Sequence, residues 1–374
     1  MTRPRAPLAL TSDQKRAWLR LIRSENVGPT TFRTLLNHFG GAQAALAALP
    51  DLARRGGGRP VTIASEAEVD RELAAADAAG ARFVALGEAD YPHDLARIEA
   101  PPPLIAVTGT GDVLRRPAVA LVGARTASLG GRKIAALIAR DLGVAELVVV
   151  SGLARGIDAA AHEAALPTGT IAVMAGGLDR IYPPEHVDLF RRIVEAGGAI
   201  VSEMPFGWTA RAKDFPRRNR LISGISLAVV VVEAALRSGS LHTARFAGEQ
   251  GREVMAVPGS PLDPRAEGCN ALIRDGATLV RSAADILADI APLLDRPPMP
   301  DHPFAEPETP PAADGPGNDA RAALHSALGL VPVSVDELSR DLGLTIPELQ
   351  LLLVELELAG RLERLPGGRV ARIA

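Results

Sequence analysis

The chain has 374 residues, enough for two or three domains of ordinary size, and its formal net charge is only −3, so a local excess of positive charge is no by-product of composition. Apolar residues make up 47% but aromatics only 3%, which leaves Ala, Val, Leu and Ile to build the core and makes aromatic base-stacking platforms scarce. The single cysteine, Cys269, excludes an internal disulfide framework and a cysteine-based zinc cluster, in keeping with a reducing compartment. The N-terminus lacks the apolar run of a signal peptide, and no segment reaches the roughly 18 apolar residues of a membrane span. The expectation is a soluble cytoplasmic protein without membrane contact.

Residues 11–50 read as short helices. Trp18, Leu19, Leu21 and Ile22 precede Asn26-Val27-Gly28-Pro29-Thr30-Thr31, and Phe32, Leu35, Leu36 and Phe39 follow at helical spacing. Thr30 or Thr31 is placed to cap the second helix. Two helices about a glycine-containing turn fit either a helix-hairpin-helix (SAM-like) unit, which offers turn amides to DNA phosphate, or a small helical packing unit. This first domain is assigned to residues 1–80.

From residue 81 to 295 short apolar runs alternate with amphipathic segments. The runs are Phe83–Leu86, Leu104–Val107, Val119–Val122, Leu147–Val150, Ile171–Met174, Ala199–Val201, Leu227–Val232, Val254–Val257 and Thr278–Val280. Most are apolar throughout, as strands buried on both faces of a mainly parallel sheet are. Segments 131–142, 157–166, 185–196, 240–250 and 267–274 supply helical crossovers. The fold class expected is α/β, an extended Rossmann-like, doubly wound sheet. Residues 296–319 hold eight prolines and read as an extended linker. Residues 320–374 then have the order of a winged helix, with helices at 320–330, 334–342 and 345–359 and a hairpin at 362–373. The helix over Thr345–Gly360 carries Glu348, Glu355 and Glu357 and no Lys or Arg, a poor visitor to a DNA groove, so this domain is expected to serve packing or protein contact.

In an open parallel sheet, ligands bind where strands end and helices begin. Five such loops here are rich in Gly, Ser and Arg: Gly123-Ala124-Arg125, Ser151-Gly152 with Arg155-Gly156, Gly176-Gly177, Phe215 with Arg217-Arg218-Asn219-Arg220, and Ser238-Gly239-Ser240. Glycine lets backbone N–H groups approach an oxyanion, and arginine adds bidentate charge. Residues 211–220 hold five cations and one acid and read as a positive loop, with Arg217, Arg218 and Arg220 the favoured phosphate contacts and Arg211 and Lys213 auxiliary steering charges.

Familiar nucleotide fingerprints are missing, as are a G-x-S-x-G elbow and an H-E-x-x-H pair, so neither a catalytic residue, a metal site nor a cofactor is assigned. Asp158 and His162, at i and i+4, and the strand-end acids Glu203 and Glu233 are read as groups that orient the pocket. An alternative is a Rossmann-like nucleotide-processing hydrolase using Glu233 as base, although Glu233-Ala234-Ala235-Leu236-Arg237-Ser238-Gly239-Ser240 breaks the pattern of such enzymes.

At these loops the chain resembles the DprA/Smf family of DNA-processing proteins of natural transformation. The matching stretches are Val122–Arg125, Ser151–Asp158 with His162, Ile181-Tyr182-Pro183, Ser202-Glu203, Phe215–Gly224, Val231–Ala234 with Ser238–Ser240, and Val257-Pro258-Gly259. The resemblance implies a homodimeric protein that binds single-stranded DNA without sequence preference and loads the RecA recombinase onto it. It also implies that Arg125 and Arg217–Arg220 meet phosphates, with Ser151, Gly152, Arg155 and Gly156 lining the same pocket. Two departures stand out: Ala124 replaces a serine of many members, and Pro184-Glu185-His186 replaces a segment that commonly offers Lys and Asn. The apolar region around 253–280 is the candidate dimer face.

Overall fold

The computed structural model describes residues 9–294, 316–365 and 367–373. Two compact units emerge, one holding residues 72–294 and the other residues 10–71 together with 316–373. The two ends of the chain, expected as separate domains, therefore share one unit. The expected linker over 296–319 lies outside the described residues as far as position 315.

The terminal unit begins with α1 (Ser12–Arg23), α2 (Pro29–Phe39) and α3 (Ala42–Arg55). Trp18, Phe32, Leu35, Leu36 and Leu49 are fully buried between them, and Trp18 meets Phe32 edge to face at 5.1 Å. The cap of α2 differs from expectation. Gly28 takes that position with Pro29 as the first helical residue, because proline supplies a helical φ and needs no N–H partner there. Thr31 instead points inward, and its hydroxyl donates to Glu357 at 2.7 Å.

The chain's C-terminal part folds as α12 (Asn318–Ala327), β10 (Val333–Ser334), α13 (Val335–Leu342), α14 (Ile346–Leu358), β11 (Leu362–Leu365) and β12 (Arg369–Arg372), with strand order β10-β12-β11. Leu349, Leu352 and Leu353 of α14 face the winged-helix core, while Leu351, Val354 and Glu355 are also buried. A helix buried all round needs a second partner. The partner is the α2–α3 pair, to which Asn26 adds a hydrogen bond on the Leu358 carbonyl at 3.0 Å. Gly56 permits this approach, since a Cβ there would overlap the carbonyl oxygen of Glu355.

In chain order α4 (Glu66–Ala78) follows α3 and leads into the other unit, whose sheet has the order β1-β2-β6-β5-β4-β3-β7-β8-β9. The strands are β1 (Ala81–Ala85), β2 (Leu104–Gly109), β3 (Ala118–Val122), β4 (Val148–Ser151), β5 (Thr170–Val173), β6 (Ala199–Ser202), β7 (Ala228–Val231), β8 (Glu253–Ala256) and β9 (Thr278–Leu279). From β6 to β9 all pairs are parallel, and β1 and β2 add an antiparallel edge. The helices are α5 (Leu129–Val144), α6 (Ile157–Ala165), α7 (Val187–Glu195), α8 (Asp214–Ile225), α9 (Ser240–Glu249), α10 (Glu267–Arg274) and α11 (Ala283–Leu294). All nine apolar runs are strands, and β3, β4, β5, β6 and β7 are buried along their whole length because helices cover both faces. Chain order reverses between β3 and β7, so the loops leaving them diverge and open a crevice at the strands' C-terminal ends.

The reading of 211–220 as a loop is corrected: from Asp214 onward this stretch is α8. Arg218, Leu221, Ile222 and Ile225 recur at helical spacing and are buried. Pro216 lies in the first turn, where its missing N–H costs nothing. Among the described residues no helix is long and apolar enough to cross a membrane. Cys269 is buried, and burial pushes its thiol up to about 11, as suits an inert core group.

Gly56→Ala is expected to cost roughly 1–3 kcal/mol through overpacking. Hydrogen exchange across Leu349–Leu358 should then be faster than in the wild type, and unchanged exchange would show that the close approach is not needed.

Candidate nucleic-acid interface

The crevice between β3 and β7 contains a cavity of about 430 Å³, walled by the ends of β3 and β4, the start of α8 and the start of α9. A smaller hollow of about 40 Å³ adjoins it beside Tyr182 and Pro183, and Arg125, Ala154, Phe215 and Arg218 border both.

Most of the walls are held by α6. Asp158, buried in its first turn, accepts the amides of Gly152 at 3.0 Å and Ala154 at 3.3 Å. One turn later His162 accepts the amide of Leu153 on Nε2 at 3.4 Å, while its Nδ1 meets the Thr170 hydroxyl at 2.7 Å. Because Thr170 itself donates to the Val149 carbonyl, the proton of the neutral imidazole sits on Nδ1. From the far side His186 Nδ1 donates to the Leu153 carbonyl at 2.8 Å. Together these contacts hold Leu153 at φ +54°, a conformation that costs energy for a side chain of its size. The i, i+4 spacing of Asp158 and His162 thus serves successive backbone groups of one loop rather than a contact between the two residues. Gly156 turns that loop into α6 beside the Ala124 carbonyl.

Arg218 lies under the cavity floor, buried. Its Nη1 donates to the carbonyls of Gly152 and Val173, the latter at 2.6 Å, and its Nε to Asn219 Oδ1 at 3.2 Å. Burial pushes this guanidinium down to about 10, opposed by the Asp158 carboxylate. Burial likewise raises Asp158, and Arg218 opposes that shift. Asn219 carries the tie onward by donating to the Gly239 carbonyl at 3.3 Å, which fixes the entrance of α9. There Ser238 and Ser240 hydroxyls meet at 2.7 Å, and the helix start opens on the cavity with its positive dipole end.

Above the floor stand the rings and the exposed charge. Phe215 meets Tyr182 edge to face at 5.6 Å, and the Arg125 guanidinium lies 5.1 Å from the Phe215 ring centre. Arg155, at the rim, is paired with Glu185.

The structure therefore gathers Gly123, Arg125, Phe215, Arg218, Asn219, Ser238, Gly239 and Ser240 around the cavity and places Gly152 and Arg155 at the adjoining hollow. Other expected members stand elsewhere. Ser151 is buried with its hydroxyl donated to the Leu121 carbonyl at 2.6 Å. Gly176 and Gly177 pack under the 205–210 segment, where the Gly177 amide donates to the Trp208 carbonyl at 2.9 Å. Arg217 and Arg220, the favoured contacts beside Arg218, both bind the buried carboxylate of Glu203, Arg217 at 2.7 Å. Arg220 also donates to the Ala100 carbonyl at 2.7 Å, which turns it away from the cavity. Glu233 accepts the Ser128 amide at 3.0 Å and its hydroxyl at 2.6 Å, anchoring the start of α5. His242 and Thr243 of α9 also line the cavity, and their place in the first turn after Ser240 could have suggested it. Tyr182 was legible only through its motif. Among the described residues no group of three or more His, Cys, Asp or Glu side chains is placed to hold a metal ion.

Burial lowers His162 from an ordinary 6.5 to about 3, with His186 and Arg218 adding to it. The unfolded chain therefore binds a proton below about pH 6.5 that the folded site refuses, so this residue's contribution to stability is present above 6.5 and lost as pH falls toward 3. Between pH 7 and 5 the loss is roughly 2 kcal/mol. Asp158, raised by burial, acts with the opposite sign, so the check is a comparison: the stability of His162→Gln should fall less over this interval than that of the wild type.

Residues 82–291 match the family described as DNA recombination-mediator protein A, residues 12–75 a DprA-like N-terminal HHH domain and residues 306–368 a DprA winged helix domain. Protein Smf of Escherichia coli is 41% identical over 283 residues, 75% of this chain and 74% of that protein. DNA processing protein DprA of Streptococcus pneumoniae is 45% identical over 201 residues, 53% of this chain and 71% of that one. The X-ray structure of the S. pneumoniae protein superposes with a TM-score of 0.60 at 35% identity, covering 75% of this chain and 99% of the other. A Helicobacter pylori DNA processing protein A, from work on its single-stranded DNA binding mode, gives 0.50 at 28% identity, covering 56% and 96%. On these matches the chain belongs to the DprA/Smf family.

Proposed function

We propose that the cavity at the β3–β7 switch point binds the sugar–phosphate backbone of single-stranded DNA without reading its sequence, and that the protein passes the strand to the RecA recombinase during transformation and recombination. The observation that carries this reading is the Arg125 guanidinium poised over Phe215 at the mouth of the cavity, with Tyr182 against the same ring. A cation for phosphate beside rings for unpaired bases is the usual chemistry of single-strand binding. In this reading the α9 start supplies a further phosphate contact, while Arg155 stays paired with Glu185 and Arg217 and Arg220 act as scaffold. The H. pylori relative's single-stranded DNA binding mode supports the same ligand. Groove reading of duplex DNA is disfavoured because α14 is covered by α2 and α3.

In this proposal the protein is not an enzyme. Glu233, which the hydrolase alternative needs as a free base, spends its carboxylate on Ser128. It acts in the cytoplasm as a homodimer joined near 253–280, where β9 is a two-residue edge strand and Leu279 is 45% exposed.

Titration of oligo-dT by fluorescence anisotropy at several salt concentrations tests the site. Arg125→Ala should bind about tenfold more weakly, equivalent to about 1.4 kcal/mol, and its logarithmic salt slope should shrink by about 0.7, the share of one phosphate on a single strand. Arg220→Ala should leave that slope unchanged. Wild-type affinity and slope in Arg125→Ala would remove the cavity from the binding site, and a salt-independent wild type would remove phosphate from the mechanism.

A further inference from the structure

The terminal unit holds a second cavity, of about 210 Å³, that shares no residue with the first. It lies at the seam where the end of α3 meets α12 and α14. Three guanidiniums, Arg55, Arg321 and Arg361, stand around it with the imidazole of His325, above an apolar floor that includes Leu324 and Leu356.

One carboxylate, Glu355, faces these cations, and it is buried. Arg321 grips it with both arms, Nε at 2.7 Å and Nη2 at 2.9 Å, and this pair is mutually satisfied. Arg55 reaches the same carboxylate only at 4.0 Å. Arg361, exposed beside Gly57, makes no side-chain hydrogen bond or ion pair among the described residues. Capping of the α3 terminus does not account for Arg361, or for Arg55, which has only its long ion pair to Glu355. The amides of Gly56, Gly57 and Gly58 already take the carbonyls of Leu52, Arg54 and Ala53. The C-terminal ends of α3 and α14 contribute about half a negative charge each. Against an excess of two positive charges, the cleft remains positive.

A concave site with unspent guanidinium donors selects a tetrahedral oxyanion, since arginine's fork matches phosphate and a cleft concentrates its field. We infer that this seam is a phosphate-binding site, filled by a free phosphate or by the terminal phosphate of a DNA strand. Its walls come from both ends of the chain. Occupancy therefore stabilises the association of α3 with α14, the same contact that keeps α14 covered.

Hydrogen exchange on the full chain, in sodium phosphate against sodium chloride of matched ionic strength, tests the inference. In the wild type, exchange over residues 52–60 and 352–362 should slow about tenfold at a phosphate concentration about ten times the dissociation constant. In Arg55→Ala/Arg361→Ala, which retains the Arg321–Glu355 pair, that slowing should vanish. No slowing in the wild type, or equal slowing in the variant, overturns the proposal. Phosphate bound in the β3–β7 cavity would protect residues 123–125 and 152–156 instead, so the two sites are read separately. A second arm compares oligo-dT with and without a 5′-phosphate. Protection of 52–60 by the phosphorylated strand alone names DNA as the source. Protection by inorganic phosphate but by neither strand names the free ion, and the same phosphate site underlies both results.

Discussion

A cation buried beneath the cavity organises everything above it. Arg218 joins α8 to the carbonyls at the ends of β4 and β5, and through Asn219 to the loop that starts α9. Three strand ends are thereby set relative to one another by two adjacent side chains. Removing a guanidinium from water costs several kcal/mol, and its carbonyl partners and the nearby Asp158 charge offset that cost only while the loops keep their places. The dependence runs both ways, because Asp158 also holds the Gly152 and Ala154 amides. Arg218 remains charged at neutral pH, since burial lowers it no further than about 10. The fixed positive field under the cavity is therefore structural, present before any ligand arrives.

The strands were legible because burial on both faces leaves short unbroken apolar runs rich in valine and isoleucine, whereas the apolar run Leu351–Val354 of α14 is leucine-rich and helical. Val119–Val122 and Leu227–Val232 could hardly be anything else. Helix α8 was hidden by its own charge. Five cations in ten residues suggested solvent, whereas Arg218 points inward and Arg217 and Arg220 close on Glu203. A count of charges carries no direction. The useful signal lay in spacing: Arg218, Leu221, Ile222 and Ile225 mark one helical face, and reading Arg218 as part of it would have placed the residue inside. Ser151 misled for a related reason, since a polar residue at a strand end serves the neighbouring backbone as readily as a ligand. The reading of Glu203 and Glu233 as orienting acids fits their geometry, although Glu233 orients the start of α5 rather than an arginine cluster.

At the chain's ends, local sequence carried the elements but not their partnership. The acidic character of α14 pointed away from a DNA groove. What uses those acids is visible only in three dimensions: Glu355 receives Arg321 from α12, and Glu357 receives both Thr31 and Arg364. Contacts between residues more than 300 positions apart leave no periodic trace. Gly56 is the nearest thing to one, but a glycine after a helix reads first as a terminator.

The pairing of acids with arginines also decides how strongly a phosphate backbone can be held. Of the six arginines near the cavity, Arg217 and Arg220 are spent on Glu203, Arg155 on Glu185 and Arg218 on carbonyls, which leaves Arg125 facing a ring and the Arg237 side chain exposed. Release of counterions scales with the phosphates neutralised, so a site with few uncommitted cations draws less of its affinity from salt-dependent contacts than its arginine count suggests. In the proposed binding mode the remainder comes from the positive end of α9 and from stacking on Phe215 and Tyr182, and stacking is not screened by salt. A strand held in that fashion can be displaced one nucleotide at a time, as each base leaves its ring, without first breaking a dense set of ion pairs. That property suits a protein whose proposed task ends in giving the strand away.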